Sequence, residues 1–156
     1  MYQELNMKRP FLFWLLVFLL IFLGVGGLYG GLTMMMDPGG HTLHMESILP
    51  LLPVSSLFLP GLFLVIVMGF YPLLMAYGMI WHPIWDWANR VTVWSRHYWA
   101  WTGALTVGAL LMLWLIFQIL VIGFRWPIQY INLINAILIV GVALHPRTQK
   151  FFEGNC

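Results

Sequence analysis

Charge in this chain is confined to a few short stretches, and the gaps between them decide what it can fold into. No Asp, Glu, Lys or Arg occurs between Pro10 and Met36, between Ser47 and Trp85, between His97 and Phe124, or between Trp126 and Pro146. Each window can hold a helix of about 20 apolar residues, enough to cross roughly 30 Å of hydrocarbon at about 1.5 Å per residue. With 62% hydrophobic and 8% charged residues, against about a quarter charged in a soluble domain, the chain reads as an integral membrane protein. Spans at about residues 11–36, 57–81, 98–124 and 126–145 make residues 1–156 one membrane domain, an all-α antiparallel bundle of four transmembrane helices.

Local signals set the limits of these spans. The pair Lys8 and Arg9 precedes the first apolar run, but that run exceeds a signal-peptide core, lacks a small-residue cleavage site and ends in the turn sequence Asp37-Pro38-Gly39-Gly40, so it reads as a retained anchor. The second span opens near Pro60 and carries Pro72 inside, where a kink is expected. The fourth starts at Trp126-Pro127 and stops at His145-Pro146.

Basic residues give the orientation. Lys8, Arg9, Arg90, Arg96, Arg147 and Lys150 fall on one side, and the other has Arg125 with the acidic Asp37 and Glu46. The positive-inside rule then puts both termini in the cytoplasm and residues 37–56 outside, in a loop with a short surface helix. Trp81, Trp85, Trp87, Trp94, Trp99 and Trp101 crowd the loop between spans two and three. That loop, His82 to Ser95, reads as an interfacial segment that turns Asp86, Asn89 and Arg90 toward water.

Several function classes lack their residues here. There is no phosphate-binding glycine loop, no dinucleotide fingerprint and no basic cluster for nucleic acid. The lone Cys156 allows neither an intrachain disulfide nor a redox pair. No ionisable group lies mid-span and no nucleophile with a base can be assembled, so the chain is read as non-enzymatic, with no catalytic residue and no cofactor assigned.

Three groups of residues remain as candidates. Gly26, Gly27, Gly30 and Gly31 form two overlapping Gly-x-x-x-Gly pairs, a pattern that lets helix backbones approach closely. The contact is expected within the chain, with a homo-oligomer or a membrane-protein partner as the alternative. Polar groups gather toward one end of the spans: Tyr29, Thr33 and the acidic Asp37, then Trp114 and Gln118 on one face of span three, and Gln129, Asn132 and Asn135 as an oblique stripe on span four. Such groups either bond between helices or line a pocket, here one for a small or lipid-like ligand, roofed by the first loop. The third group, His41, His44, Met45 and Glu46, carries donors suited to copper or zinc but no recognised ligand spacing. Haem ligation would need His97 and His145, both near the cytoplasmic boundary.

The segments GGLYGGLTMMMDPGG, LPGLFLVIVMGFYPLLMAYGM, HYWAWTGALTVGALLMLWLIFQILVIG and WPIQYINLINAILIV resemble successive blocks of a family of small bacterial four-helix membrane proteins described only as hypothetical. The resemblance covers about residues 20–150, and the matching positions are Gly26, Gly27, Gly30, Asp37, Pro38, Gly61, Trp99, Trp101, Trp114 and Gln118. The set His41, His44, Met45 and Glu46 departs from the pattern. The resemblance implies a four-span protein of the bacterial inner membrane and carries no activity. The leading reading is therefore a pocket for a lipid-like ligand. The alternatives are an accessory subunit packed on another membrane protein through the span-one glycines, and a metal- or haem-dependent membrane protein.

Overall fold

A computed structural model describes residues 9–83, 85 and 98–153, and all regular structure among them is helical. Four helices are long and apolar enough to cross a membrane: α1 (Phe11–Met36), α2 (Phe58–Trp81), α3 (Trp99–Ile122) and α4 (Pro127–Leu144). The chain is a multi-pass, four-span membrane protein whose helices pack as an antiparallel bundle. The expected spans agree with these limits to within two residues. Asp86, Trp87, Asn89, Arg90, Trp94, Arg96 and His97, with most of the expected interfacial loop, lie outside the described residues, as do Lys8 and Cys156.

Prolines and glycines set the ends. Pro10 is extended, and its carbonyl accepts the first helical bond of α1, from Phe13 N–H. At the far end Asp37 N–H still bonds to Thr33 O, and Pro38 has no amide proton with which to continue. Gly123 ends α3 at a φ of 77° that a side chain would strain, and Pro127 sits in the first turn of α4.

Pro72 leaves a mark different from the expected simple kink. Its ring would crowd the carbonyl of Met68 four residues back, and it has no proton to give that carbonyl. The helix widens instead into a π-helical stretch over Leu64–Phe70, closed by Tyr71 N–H bonding to Ile66 O five residues earlier. Local π turns are one way a spanning helix absorbs a proline without exposing unbonded backbone to lipid.

The chain end also departs from expectation. Pro146 stops α4 but begins a further helix, α5 (Pro146–Glu153), instead of leading into a tail. Thr148 and Phe152 lie on one face of α5 at i and i+4, and both are fully buried. Phe151 and Phe152 pack on Phe13 of α1 at 5.4 and 6.0 Å between ring centroids.

The four spans form a ring in chain order, and it is tight at one end. At the α5 end the core comprises Phe13, Leu16, Leu20, Met79, Ala104 and Phe152 with their neighbours. Trp101 Nε1 donates to Ala143 O across that core at 3.0 Å, and Tyr98 donates to Gly78 O and Pro83 O. Toward the first loop, α2 leans on α1 and leaves α3. The lean follows from small residues: a side chain at Gly31 would come within 2.6 Å of Gly61 O, and one at Gly61 within 2.7 Å of Gly31 O. A methyl at Gly27 would overlap the Met68 carbonyl. With α1 and α2 this close, the loop-one half of the ring opens along its other seams.

Candidate ligand site

The opening is a cavity of about 730 Å³, walled by α1, α3 and α4 with parts of α2 and the first loop. On α1 its main wall is Phe18, Ile21 and Phe22, Val25 and Gly26, Tyr29 and Gly30, with Leu23, Gly27 and Met34 beside them. That spacing of three and four residues is a single face of a helix. Leu111, Trp114 and Gln118 face it from α3, and Trp126, Ile128 and Asn132 from the start of α4. A second hollow of about 250 Å³ lies between α2 and α3. Met34, Met45, Trp114 and Gln118 border both.

The first loop is held over this space by its own hydrogen bonds. Asp37 accepts from Thr42 N at 2.6 Å and from Thr42 Oγ1 at 2.8 Å. The Thr42 amide is the main reason that the Asp37 carboxyl sits below the ordinary carboxylate range. Met45 N–H bonds to Gly40 O and Leu57 N–H to Pro38 O, which folds the segment back over the helix ends. Gly40 turns at a φ of 80°, and a side chain there would meet Leu57 Cδ1 at 2.9 Å. The expected surface helix is a 3₁₀ turn, Glu46–Leu51. Leu43 and Met45 are the loop residues that reach the cavity.

Of the eight residues expected in a pocket, four line this one: Tyr29, Trp114, Gln118 and Asn132. Trp114 is fixed by stacking on Phe63, with centroids 4.7 Å apart and planes 29° from parallel. The Gln118 and Asn132 side chains make no hydrogen bond among the described residues, although both belong to candidate membrane spans.

The other four lie elsewhere. Thr33 turns its hydroxyl back to Tyr29 O at 2.8 Å, the usual resort of a threonine in an apolar helix. Asp37 builds the loop. Gln129 is 1% exposed and closes the turn between α3 and α4: Oε1 accepts from Arg125 N and Trp126 N, and Nε2 donates to Gly123 O. Asn135, one turn further along α4 than Asn132, is 3% exposed, and neither atom of its amide has a partner.

The glycines divide by contact, although Gly27 borders the cavity as Gly26 and Gly30 do. Gly27 and Gly31 face α2, joined by Gly24, where a side chain would meet Leu73 and Gly69 O. Gly26 has no heavy atom within 4 Å of where a Cβ would stand, and Gly30 only Leu64 Cδ2 at 3.8 Å. Expecting all four at one contact fails because successive residues point about 100° apart around a helix. The contact is made inside the chain, between α1 and α2. Sequence reading missed the stripe from Phe18 to Val25, because a helix apolar on every side does not show which side borders a cavity and which packs in the core. It also missed Gly61 and Gly69, whose spacing of eight matches small-residue packing on α2.

The loop histidines are not gathered for a metal. His41 Nδ1 hydrogen-bonds Glu46 Oε1, His44 stands exposed in the left-handed region at φ 52°, and Met45 points to the cavity. Among the described residues no three His, Cys, Asp or Glu side chains are grouped so that they could hold an ion. His145 caps α4, and its Nδ1 accepts from Arg147 N. No family model, curated protein or solved structure matches the chain. The resemblance drawn from its sequence blocks thus adds nothing to the four-span architecture.

Proposed function

We propose that this four-span protein binds a small lipid-like molecule in the 730 Å³ cavity, without chemistry of its own. The observation that carries the reading is the pair Gln118 and Asn132, two amides with open hydrogen-bonding capacity facing an otherwise largely apolar hollow. Amides that served only as packing glue would bond to each other or to backbone, since a polar group left alone at membrane depth is costly. The cavity also falls in the size range of ligand sites, about 300–1,000 Å³. We place both termini in the cytoplasm on the segregation of its Lys and Arg residues, and a bacterial inner membrane on the resemblance of its sequence blocks alone. The cavity then lies in the outer half of the bilayer.

An accessory-subunit role has one observation in its favour, the open Gly26 and Gly30 pair, on which a partner's helix could pack. Native mass spectrometry of protein released gently from its own membranes separates the two. A ligand site gives a discrete small-molecule adduct that is lost in Gln118→Leu and Asn132→Leu variants whose folding yield is unchanged. A bare chain, or one carrying only another polypeptide, removes the ligand reading.

A further inference from the structure

We infer that the ligand is an amphiphile with one extended chain and an uncharged head, its chain lying along α1 and its head at Gln118 and Asn132. This rests on the ligand reading above and specifies the molecule. The shape of the cavity suits an extended chain. The cavity touches α1 from Phe18 to Met34, a rise of roughly 24 Å at 1.5 Å per residue. Its volume of about 730 Å³ is drawn out along that length. A long groove of this kind, open on the α1 side where Phe18, Val25 and Tyr29 are exposed, takes an extended hydrocarbon chain.

Gln118 lies four residues from the loop-one end of α3, and Asn132 five residues into α4. Both amides therefore stand near the loop-one end of the slot. Below them the α1 wall offers Phe18, Ile21, Phe22, Val25 and Gly26. One end can hydrogen-bond and the rest cannot, which is the pattern of a head and a tail.

No residue lining the slot is charged. The acidic groups of the roof are engaged, Asp37 with Thr42 and Glu46 with His41. Amides satisfy a hydroxyl or a carbonyl, whereas a phosphate drawn into an apolar slot would lose its hydration with no cation lining the slot to replace it. Gly26 then has a specific role. It leaves the slot open one turn beyond Gly30, so a side chain there stands across the path of the tail.

The test uses three defined probes on the full chain in detergent, read by native mass spectrometry: 1-palmitoylglycerol, 1-octanoylglycerol and palmitoyl lysophosphatidic acid. The wild type is expected to hold one palmitoylglycerol at least tenfold more tightly than the phosphate-bearing analogue. Gly26→Leu should weaken palmitoylglycerol at least tenfold and leave octanoylglycerol unchanged. Gly30→Leu, nearer the head, should weaken both. Equal binding of the charged analogue, or an unaltered palmitoylglycerol affinity in Gly26→Leu, overturns the inference while leaving a Gln118-dependent ligand in place. Failure of every probe, together with a bare chain from native membranes, removes the ligand reading itself.

Discussion

Two adjacent glycines in α1 should respond to alanine in opposite directions. A Cβ on Gly27 would overlap the Met68 carbonyl and stand 2.8 Å from Gly69 N, where ordinary contact is about 3.5–4 Å. The obstacles are backbone atoms, so no rotamer change relieves them, and α1 and α2 must part by roughly 1 Å. Overpacking of this kind costs about 1–3 kcal/mol. The immovable backbone puts Gly27→Ala near the upper end, offset by about 1 kcal/mol from the better helix propensity of alanine. The net loss is about 2 kcal/mol. At Gly26 no atom lies within 4 Å, so Gly26→Ala gains propensity at no steric cost and should stabilise by up to about 1 kcal/mol. The two variants then differ by about 3 kcal/mol, more than a hundredfold in the folding equilibrium. Reversible unfolding in mixed micelles with rising dodecyl sulfate, followed by tryptophan fluorescence, measures both. Equal stabilities, or a weaker Gly26 variant, would refute the assignment of faces on α1.

The polar residues give two further contrasts. Gln129→Leu leaves Arg125 N, Trp126 N and Gly123 O without their partner at the α3–α4 turn and should cost about 2–3 kcal/mol in the same unfolding assay, whereas Gln118→Leu and Asn132→Leu should be nearly neutral. His82 stacks on Tyr98 at 4.8 Å, and its pKa lies below the ordinary 6.5 because burial disfavours the imidazolium, with the nearby Arg9 adding to the effect. The unfolded chain therefore takes up the proton first. The stability from neutral His82 is whole above pH 6.5 and is lost as the pH falls from there through the folded value. Thermal unfolding at pH 8 and pH 5.5 should show this loss in the wild type and much less of it in His82→Asn, a residue that tolerates the left-handed backbone at this position. An unchanged pH dependence would show that another group titrates.

The spans were legible because the signals that bound them are local. Pro10, Asp37-Pro38, Gly123, Pro127 and Pro146 act through their own backbone, and the uncharged windows needed only counting. What the sequence concealed depends on neighbours. The faces of α1 could not be told apart, since Phe18 and Phe22 at the cavity read no differently from Phe13 in the core. Gln129, Asn132 and Asn135 form one stripe in sequence, yet the fold gives them three environments: a closed turn, an open cavity and a sealed interior. The fold of α5 was legible in part, in the spacing of Thr148 and Phe152, but Pro146 drew the reading toward a stop. At Pro72 the proline was evident, and the π-helical answer to it was not, because a kink and a wider turn solve the same clash.

A chain-bearing molecule in the slot along α1 should be open to capture in place. Photocrosslinking tests it most directly: 1-acylglycerol carrying a diazirine midway along its chain is irradiated with the protein, and the modified residues are mapped by peptide mass spectrometry. Labels should concentrate on the stripe from Phe18 to Gly30 and on Leu111, and unlabelled palmitoylglycerol should compete them away. Labels falling as heavily on Leu120 and Ile137, which are exposed like Phe18 and Tyr29 of the stripe but lie outside the cavity, and not competed away, would contradict it.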